Sequence, residues 1–300
     1  MRVSIIISVR DDDRIVQCLR SIFNSGAVGF KDSFEVIVVE NSDRPSLAND
    51  IEKFPVVYLV EARRGMGFAR AKAITVAKGE FIVFTDADCV VGESWLLKLL
   101  KPFGCEQVGI VGGPIAKISP SNFTEKAQRD LIIGGQHEVQ FLLPIYSRPY
   151  VATANAAYRS EDVKRAGGID ASFFSGGDVD LAWRVGDLGL HAVIAQDALV
   201  FHACRPTARA VFCQFYRYSV GHAYLFKKFK ARSGKRICLN WYPFIGCFKA
   251  VGNLWRALVH PGPQIGRKIA IGSVGFEMIE YLALILGAFV GAIKTRTLYI

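Results

Sequence analysis

Hydrophobic and polar positions in the first hundred residues alternate between short apolar runs and segments with helical spacing. Runs rich in β-branched residues predict strands at Val3–Val9, Phe34–Glu40, Val56–Val60 and Phe81–Thr85. Helical spacing predicts helices at Arg14–Asn24, Met66–Ala77 and Glu93–Phe103. Strands that alternate with helices indicate a parallel sheet with right-handed crossovers and helices on both faces. The pattern therefore predicts an α/β fold with a mainly parallel sheet.

The last third of the chain follows a different pattern, in which long apolar stretches carry scattered cations. Between Trp241 and His260, aromatic and aliphatic side chains are interleaved with Lys249 and Arg256, which is typical of a helix lying in a membrane interface. The 25 residues of Ile269–Ile293 carry two acidic residues and are long enough to span a bilayer. Cations flank this stretch on both sides, so no direction of crossing is predicted. A buried helical hairpin of a soluble protein is the alternative.

Charge is also distributed unevenly along the chain. Residues 1–204 contain 22 Lys and Arg against 25 Asp and Glu, whereas residues 205–300 contain 15 against 2. Such a basic segment serves either nucleic acid or an anionic membrane surface, and its apolar surroundings favour the membrane. We therefore predict a first domain at 1–204 and a basic, membrane-associating helical region at 205–300, with no nucleic-acid partner.

The first residues and the cysteines both bear on the cellular setting. The chain opens directly on a strand-like run, so we expect no signal peptide. Its seven cysteines include no C-x-x-C pair, which predicts reduced thiols. We expect a membrane-associated protein whose first domain lies in the cytoplasm.

Two carboxylates, Asp86 and Asp88, follow the apolar run at Phe81–Thr85. Acids at the C-terminal end of a buried strand are costly unless a cation lies nearby. In open α/β sheets this end is also where ligands bind. Carboxylate oxygens suit Mg²⁺ or Mn²⁺, and such an ion can bridge the protein to a diphosphate. An Asp-rich turn, with Asp86 capping the next helix, is the alternative.

Six short motifs occur in one order along the first domain. They are Ser8-Val9-Arg10-Asp11, Val39-Glu40-Asn41-Ser42, Arg63 to Arg70, Phe84-Thr85-Asp86-Ala87-Asp88, Ser175 to Arg184, and Leu199-Val200-Phe201-His202. Their order and spacing resemble the family 2 glycosyltransferases over roughly residues 1–204. The resemblance implies a GT-A type nucleotide-sugar-binding fold. It places the nucleotide-binding half at about 1–105 and the acceptor half at about 106–204.

The resemblance also implies roles for individual residues. Nucleotide-sugar-binding roles fall to Asp11, Glu40, Arg70 and Asp86, with Glu40 on the base where the family usually has Asp. Metal-binding roles, for Mg²⁺ or Mn²⁺, fall to Asp88, Asp86 and His202. Asp178 matches the general base that deprotonates the acceptor hydroxyl. The alternatives are a helix N-terminus for Asp178 and Asp180, with Asp180 interpreted as structural, and simple packing for His202.

Two positions depart from the family pattern. Arg10-Asp11 replaces an aromatic residue followed by Asn, and Gly177 replaces the Glu that precedes the base. The first change leaves the nucleotide contacts open. The second means that the acceptor type cannot be carried over from better-known members.

A further motif lies at the start of the basic region. Gln214, Arg217 and Tyr218 resemble the Gln-x-x-Arg-Trp signature of processive membrane synthases, which implies an interface helix beside the acceptor. Polar residues on a cationic amphipathic helix are the alternative. Those synthases carry several transmembrane helices and this chain has room for one or two, so polymer export is not predicted.

Together these features predict a metal-dependent, inverting glycosyltransferase. We expect it to move a sugar from a nucleotide-sugar donor to an acceptor hydroxyl at the cytosolic membrane face, with a lipid-linked glycan as the acceptor. One alternative is a family 2 transferase with a soluble acceptor that is merely tethered to the membrane. The other is a nucleic-acid-binding protein that uses the basic C-terminal third.

Overall fold

The computed structural model describes residues 2–27, 29, 33–118, 122–128, 136–142, 145–259 and 267–299. Its strands are β1 Val3–Val9, β2 Phe34–Glu40, β3 Val56–Val60, β4 Phe81–Asp86, β5 Cys89–Val91, β6 Val108–Gly112, β7 Ile115–Lys117, β8 Gln140–Leu142, β9 Tyr146–Tyr150, β10 Asn155–Arg159, β11 His191–Ile194, β12 Val200–His202, β13 Ile237–Cys238 and β14 Leu298–Tyr299. Its α-helices are α1 Ile15–Ser21, α2 Ala48–Ile51, α3 Met66–Val76, α4 Trp95–Leu100, α5 Phe123–Ala127, α6 Ser160–Arg165, α7 Gly177–Gly186, α8 Ala208–Ser233, α9 Tyr242–Val259 and α10 Arg267–Thr295. A π-helical turn at Ile22–Gly26 extends α1, and a 3₁₀ turn at Lys101–Gly104 extends α4.

The chain divides into two compact units. The sheet unit comprises Met1–Ala116, Gly135–Phe141 and Arg148–Ala203. The helical unit comprises Lys117–Gly134, Leu142–Ser147 and Cys204–Ile300. Two short segments of the predicted acceptor half thus belong to the helical unit, and the predicted domain boundaries remain predictions.

A seven-stranded sheet forms the centre of the sheet unit, in the order β11-β6-β10-β4-β1-β2-β3. β1 pairs in parallel with β2 and β4, β2 with β3, and β6 with β11. β10 is antiparallel to both of its neighbours, β4 and β6. The sheet is therefore mainly parallel, as the alternation of strands and helices predicts.

Both faces of this sheet are covered. On β1, Ile5 and Ile7 belong to the apolar layer that contains α1 and α4, whereas Ile6 belongs to the opposite layer with α3 and α7. Successive side chains of a strand point to opposite faces, so a uniformly apolar strand needs cover on both. The sheet is thus buried on both faces, and its strand ends position the groups that follow them.

Long helices dominate the helical unit. α8 begins at the Thr207 cap, whose hydroxyl accepts a hydrogen bond from Ala210 N at 3.2 Å. α10 packs closely on α8, because two glycines of α10 leave room for residues of α8. Gly287 lies against the backbone of Tyr216, and Gly291 lies against the side chain of Ala223. A Cβ at Gly287 would lie 2.5 Å from the Tyr216 carbonyl oxygen. Small residues at these positions therefore allow the two backbones to approach.

The outer faces of α9 and α10 are strongly apolar. Phe248 and Trp255 of α9 are 80% and 67% exposed, and Ile293 of α10 is 77% exposed. Among the described residues, one helix is long and apolar enough to cross a membrane, Ile271–Thr295. Large exposed apolar surfaces mark contact sites rather than ordinary soluble surface.

Candidate active site

The C-terminal ends of β1, β2 and β4 lie side by side at one edge of the sheet. Val9 of β1 is paired with Glu40 of β2, and Ser8 is paired with Asp86 of β4. Asp11 follows β1 in the next turn. The parallel register therefore brings three of the predicted donor-binding residues to one edge, where ligands of α/β sheets bind.

A second, three-stranded sheet brings His202 to Asp88. β12 runs antiparallel to β5, with His202 opposite Cys89, and Ala203 N donates to the Asp88 carbonyl at 3.1 Å. His202 Nε2 consequently lies 3.3 Å from Asp88 Oδ1. Two predicted ligands from distant parts of the sequence are therefore neighbours.

The donor set at this point fits a divalent cation. Ligand atoms of Asp88, Cys89 and His202 lie within 4.8 Å of one another. Burial raises the pKa of the Cys89 thiol well above its usual value. The other two groups are a buried carboxylate and an imidazole, and both are ligands of first-row divalent metals.

Asp86 takes a different position from Asp88. Among the described residues it is not part of the group gathered within 4.8 Å, and its Oδ1 accepts a hydrogen bond from Arg70 Nη2 at 3.0 Å. Arg70 lies on α3, whose first residue follows Gly65 at φ 141°, in a region that favours glycine. The contact pairs two predicted donor-binding residues, and the metal role of Asp86 stays a prediction.

Asp178 lies at the start of α7, close enough to Arg70 and Asp86 for their charges to affect its pKa. Burial raises the pKa of Asp178, Arg70 opposes that shift, and Asp86 adds to it. A carboxylate with a raised pKa suits a general base. Asp180, two residues further along the helix, is fully buried. Its Oδ2 accepts hydrogen bonds from Arg184 Nε at 3.0 Å and Nη2 at 2.7 Å, which fits a structural role.

Glu40, the predicted contact of the nucleotide base, is fully buried. Its side chain is buried and accepts hydrogen bonds from Ser46 N at 2.9 Å, from Leu47 N at 3.2 Å and from the Tyr58 hydroxyl. Burial and this contact raise the pKa of Tyr58, which keeps its phenol protonated. Glu40 therefore anchors the loop after β2, and its predicted contact with the base stays a prediction.

The loop after β1 contains one expected residue and one that the sequence analysis missed. Asp11, at φ 47°, is largely exposed and lies 3.5 Å from Arg10 Nε through Oδ2. Arg14 places Nη2 3.7 Å from Asp88 Oδ2. The available signal was a lone cation at the end of the acidic run 11–13, directly after a strand of the ligand-binding edge. Tyr58 was missed too, because a tyrosine inside a strand reads as packing.

The predicted acceptor residues belong to the helical unit. Arg205 Nε donates to Gln214 Oε1 at 3.0 Å, and Gln214 Nε2 donates to the Tyr218 hydroxyl at 2.7 Å. Arg217 is exposed and its Nε donates to the Cys213 carbonyl at 2.9 Å. The motif thus forms an ordered polar face on α8, and its acceptor role stays a prediction.

Comparisons with known proteins agree on the family. The family model "Glycosyl transferase family 2" matches residues 4–167. Glycosyltransferase AglE of Haloferax volcanii is 26% identical over 220 residues, which cover 71% of this chain and 70% of that protein. The pre-mycofactocin glycosyltransferase of Mycobacterium tuberculosis is 29% identical over 215 residues, covering 69% of this chain and 44% of the relative.

A solved structure shows the same fold over nearly the whole chain. It is a mannosyltransferase from Pyrobaculum calidifontis in complex with GDP-Man and Mn²⁺, with a TM-score of 0.64 and 18% identity. The similarity covers 98% of this chain and 87% of that structure. The predicted fold is confirmed as GT-A type, with a mainly parallel sheet and a C-terminal apolar helix that is a candidate for membrane association.

Proposed function

This chain belongs to glycosyl transferase family 2 and uses a nucleotide-sugar donor, and we propose that it is a metal-dependent, inverting enzyme acting on a lipid-linked glycan at the cytosolic membrane face. One observation carries the proposal. His202 Nε2 lies 3.3 Å from Asp88 Oδ1, at the sheet edge where Arg70 holds Asp86. A cation site and a cationic side chain there suit a diphosphate leaving group.

The metal is proposed to be held by Asp88 and His202, with Asp86 as the further predicted ligand. When bound, such an ion supplies Lewis-acid stabilisation of the charge that develops on a leaving diphosphate. An imidazole ligand favours Mn²⁺ over Mg²⁺, because Mg²⁺ prefers oxygen ligands alone. The structural neighbour from Pyrobaculum, which contains Mn²⁺, is consistent with this choice.

Asp178 is the proposed general base. Its carboxylate takes the proton of the acceptor hydroxyl while the hydroxyl oxygen forms a bond to the anomeric carbon of the donor sugar. The bond from that carbon to the nucleoside diphosphate breaks, and the diphosphate leaves with the electron pair. Attack from the side opposite the leaving group inverts the anomeric centre. Arg70 holds Asp86 at the donor side, and its charge limits how far the pKa of Asp178 rises.

Membrane attachment is proposed for the helical unit. The exposed apolar residues of α9 and α10 are accompanied by cations such as Lys249 and Arg256. Apolar burial and attraction to anionic lipids act together in such segments. A membrane-bound enzyme meets lipid-linked acceptors at high local concentration, which favours that class of acceptor over a soluble one.

The proposal is tested by incubating the full-length protein with a panel of GDP-, UDP-, dTDP- and CDP-sugars. Each reaction contains Mn²⁺, Mg²⁺ or a chelator, and membranes that supply lipid acceptors. We expect one donor to be consumed with Mn²⁺, little turnover in chelator, and labelled sugar in the organic extract. Full activity in chelator would contradict the metal, and label confined to the aqueous phase would favour the soluble acceptor.

A further inference from the structure

Arg14 is a cation at the candidate metal site that the proposed mechanism does not use. It lies just before α1, and its Nη2 is 3.7 Å from Asp88 Oδ2. Asp12 fixes the orientation of the guanidinium, because Arg14 Nε donates a hydrogen bond to Asp12 Oδ1 at 2.8 Å and Arg14 Nη2 donates one to Asp12 Oδ2 at 2.6 Å. Two parallel charge-assisted hydrogen bonds of this kind hold a guanidinium plane in one orientation.

The guanidinium still has donors to offer. Nε and Nη2 make the contacts with acids, and the two hydrogens on Nη1 have no described protein acceptor. The side chain is 38% exposed, against 8% for Asp88. Arg14 therefore lies between the buried Asp88 carboxylate and solvent, and its Nη1 is available to donate hydrogen bonds to a ligand.

A cation in this place works against a metal ion that binds alone, because like charges repel. The conflict disappears when an anion lies against both cations. A diphosphate is such an anion, and the planar fork of arginine matches phosphate oxygens. The position of Arg14 is thus favourable in the complex with nucleotide and unfavourable in the complex with metal alone.

We infer that Arg14 is a further binding residue for the diphosphate group of the donor, and that Asp12 is the residue that positions it. The inference rests on the proposed function, since it requires a nucleoside diphosphate at Asp88. It assigns a direct contact to a residue outside the motifs that carry the family resemblance.

The test measures binding rather than turnover. Full-length wild-type protein is titrated calorimetrically with GDP, UDP, CDP, dTDP and ADP, each with Mn²⁺, to find the diphosphate that binds. Arg14→Gln should weaken that diphosphate by about 10- to 100-fold, the usual value of hydrogen bonds to a charged group. Binding of the matching nucleoside, followed by saturation-transfer NMR, should be unchanged. Mn²⁺ alone, followed by its electron paramagnetic resonance signal, should bind at least as tightly.

Two further variants and one control make the result specific. Arg14→Lys, which keeps the charge without the fork, and Asp12→Asn, which frees the guanidinium, should each lose part of the diphosphate affinity. Arg20→Gln removes an exposed arginine from the last turn of α1 and should change nothing. If Arg14→Gln fails to fold, the Lys and Asn variants decide the matter by the same measurements.

The possible failures are distinguishable. Unchanged diphosphate affinity in the Arg14 variants, or an equal loss of nucleoside binding, would overturn this inference and leave the proposed function standing. A wild-type protein that binds none of the five diphosphates would overturn the proposed function, and this inference with it.

Discussion

The sheet unit and the helical unit differ in whether their large apolar side chains are covered. In the sheet unit, the β-branched strands are covered, and the buried acids Asp88 and Asp180 lie beside Arg14 and Arg184. In the helical unit, aromatic residues such as Phe248 and Trp255 face outward. The first arrangement is that of a covered core, whereas large exposed apolar surfaces mark sites that contact another molecule or a membrane. Under the proposed function, donor chemistry belongs to the sheet unit and membrane attachment to the helical unit, so each should be removable without the other.

The largest expected effect comes from Asp88→Asn in the sheet unit. An amide is a much poorer ligand for Mn²⁺ or Mg²⁺ than a carboxylate, so turnover should be abolished and nucleotide binding weakened. Donor consumption with and without Mn²⁺ measures this. Asp43→Asn, which removes an exposed acid from the loop after β2, is the matched control. Undiminished activity of the Asp88 variant would remove the metal site from the mechanism.

Asp178→Asn should have the next largest effect. Loss of a general base lowers transfer by roughly 10²- to 10⁴-fold, and donor binding should be retained. Asp187→Asn, at the other end of α7 in an ion pair with Arg148, is the control. A variant that unfolds, or that loses donor binding, would show that Asp178 is structural.

The pH dependence of transfer sharpens the same prediction. A general base works in its deprotonated form, and burial raises the pKa of Asp178. Transfer should therefore decline with falling pH at a higher pH than an ordinary aspartate would give. This decline at acidic pH should be absent from the residual transfer rate of Asp178→Asn. A decline that persists in the variant would show that another group titrates.

A smaller effect, on stability, is expected for Gly287→Val in the helical unit. The new Cβ would lie 2.5 Å from the Tyr216 carbonyl oxygen, and overpacking of this kind costs about 1–3 kcal/mol. Thermal unfolding in detergent should shift down, with nucleoside diphosphate binding retained below the transition. Gly275→Ala is the control, because nothing lies within 4 Å of the added Cβ there. An unchanged midpoint for Gly287→Val would show that α8 and α10 are not tightly packed.

Much of the sheet could be predicted from sequence, because local pattern and burial agree there. The bounds predicted for the first three strands match β1, β2 and β3, since each run is apolar and β-branched. The central antiparallel strand β10 was not predicted. Its sequence, Asn155 to Arg159, has little β-propensity, and long-range pairing with β4 and β6 fixes it.

Asn155 shows why such a strand escapes local analysis. Its buried amide donates to the carbonyls of Pro114 and Ala198 at 3.0 and 2.7 Å and accepts the Trp95 indole N–H at 2.9 Å. These partners are distant in sequence. A polar residue that satisfies several loops is indistinguishable from a surface residue until the fold is known.

The candidate site shows the same limit. Asp86 and Asp88 could be identified because they end an apolar strand, and the family resemblance supplied Asp178 and His202. The enclosure of Glu40 by Tyr58 and the contact of Arg14 with Asp88 depend on which strands are neighbours. Sequence thus indicated candidate residues for donor and metal binding, and tertiary structure was needed to find the groups that contact them.

The separation of the two functions is tested most directly by flotation of full-length protein with anionic liposomes in high salt, together with Mn²⁺ and a labelled nucleoside diphosphate. Wild-type protein and label should float together, because salt does not screen apolar burial. Phe248→Ser/Trp255→Ser should bind membranes about 100-fold or more weakly and stay behind with its label still bound. Asp88→Asn should float without label. Flotation that Phe248→Ser/Trp255→Ser leaves unchanged, or label lost from that variant, would contradict the division between the two units.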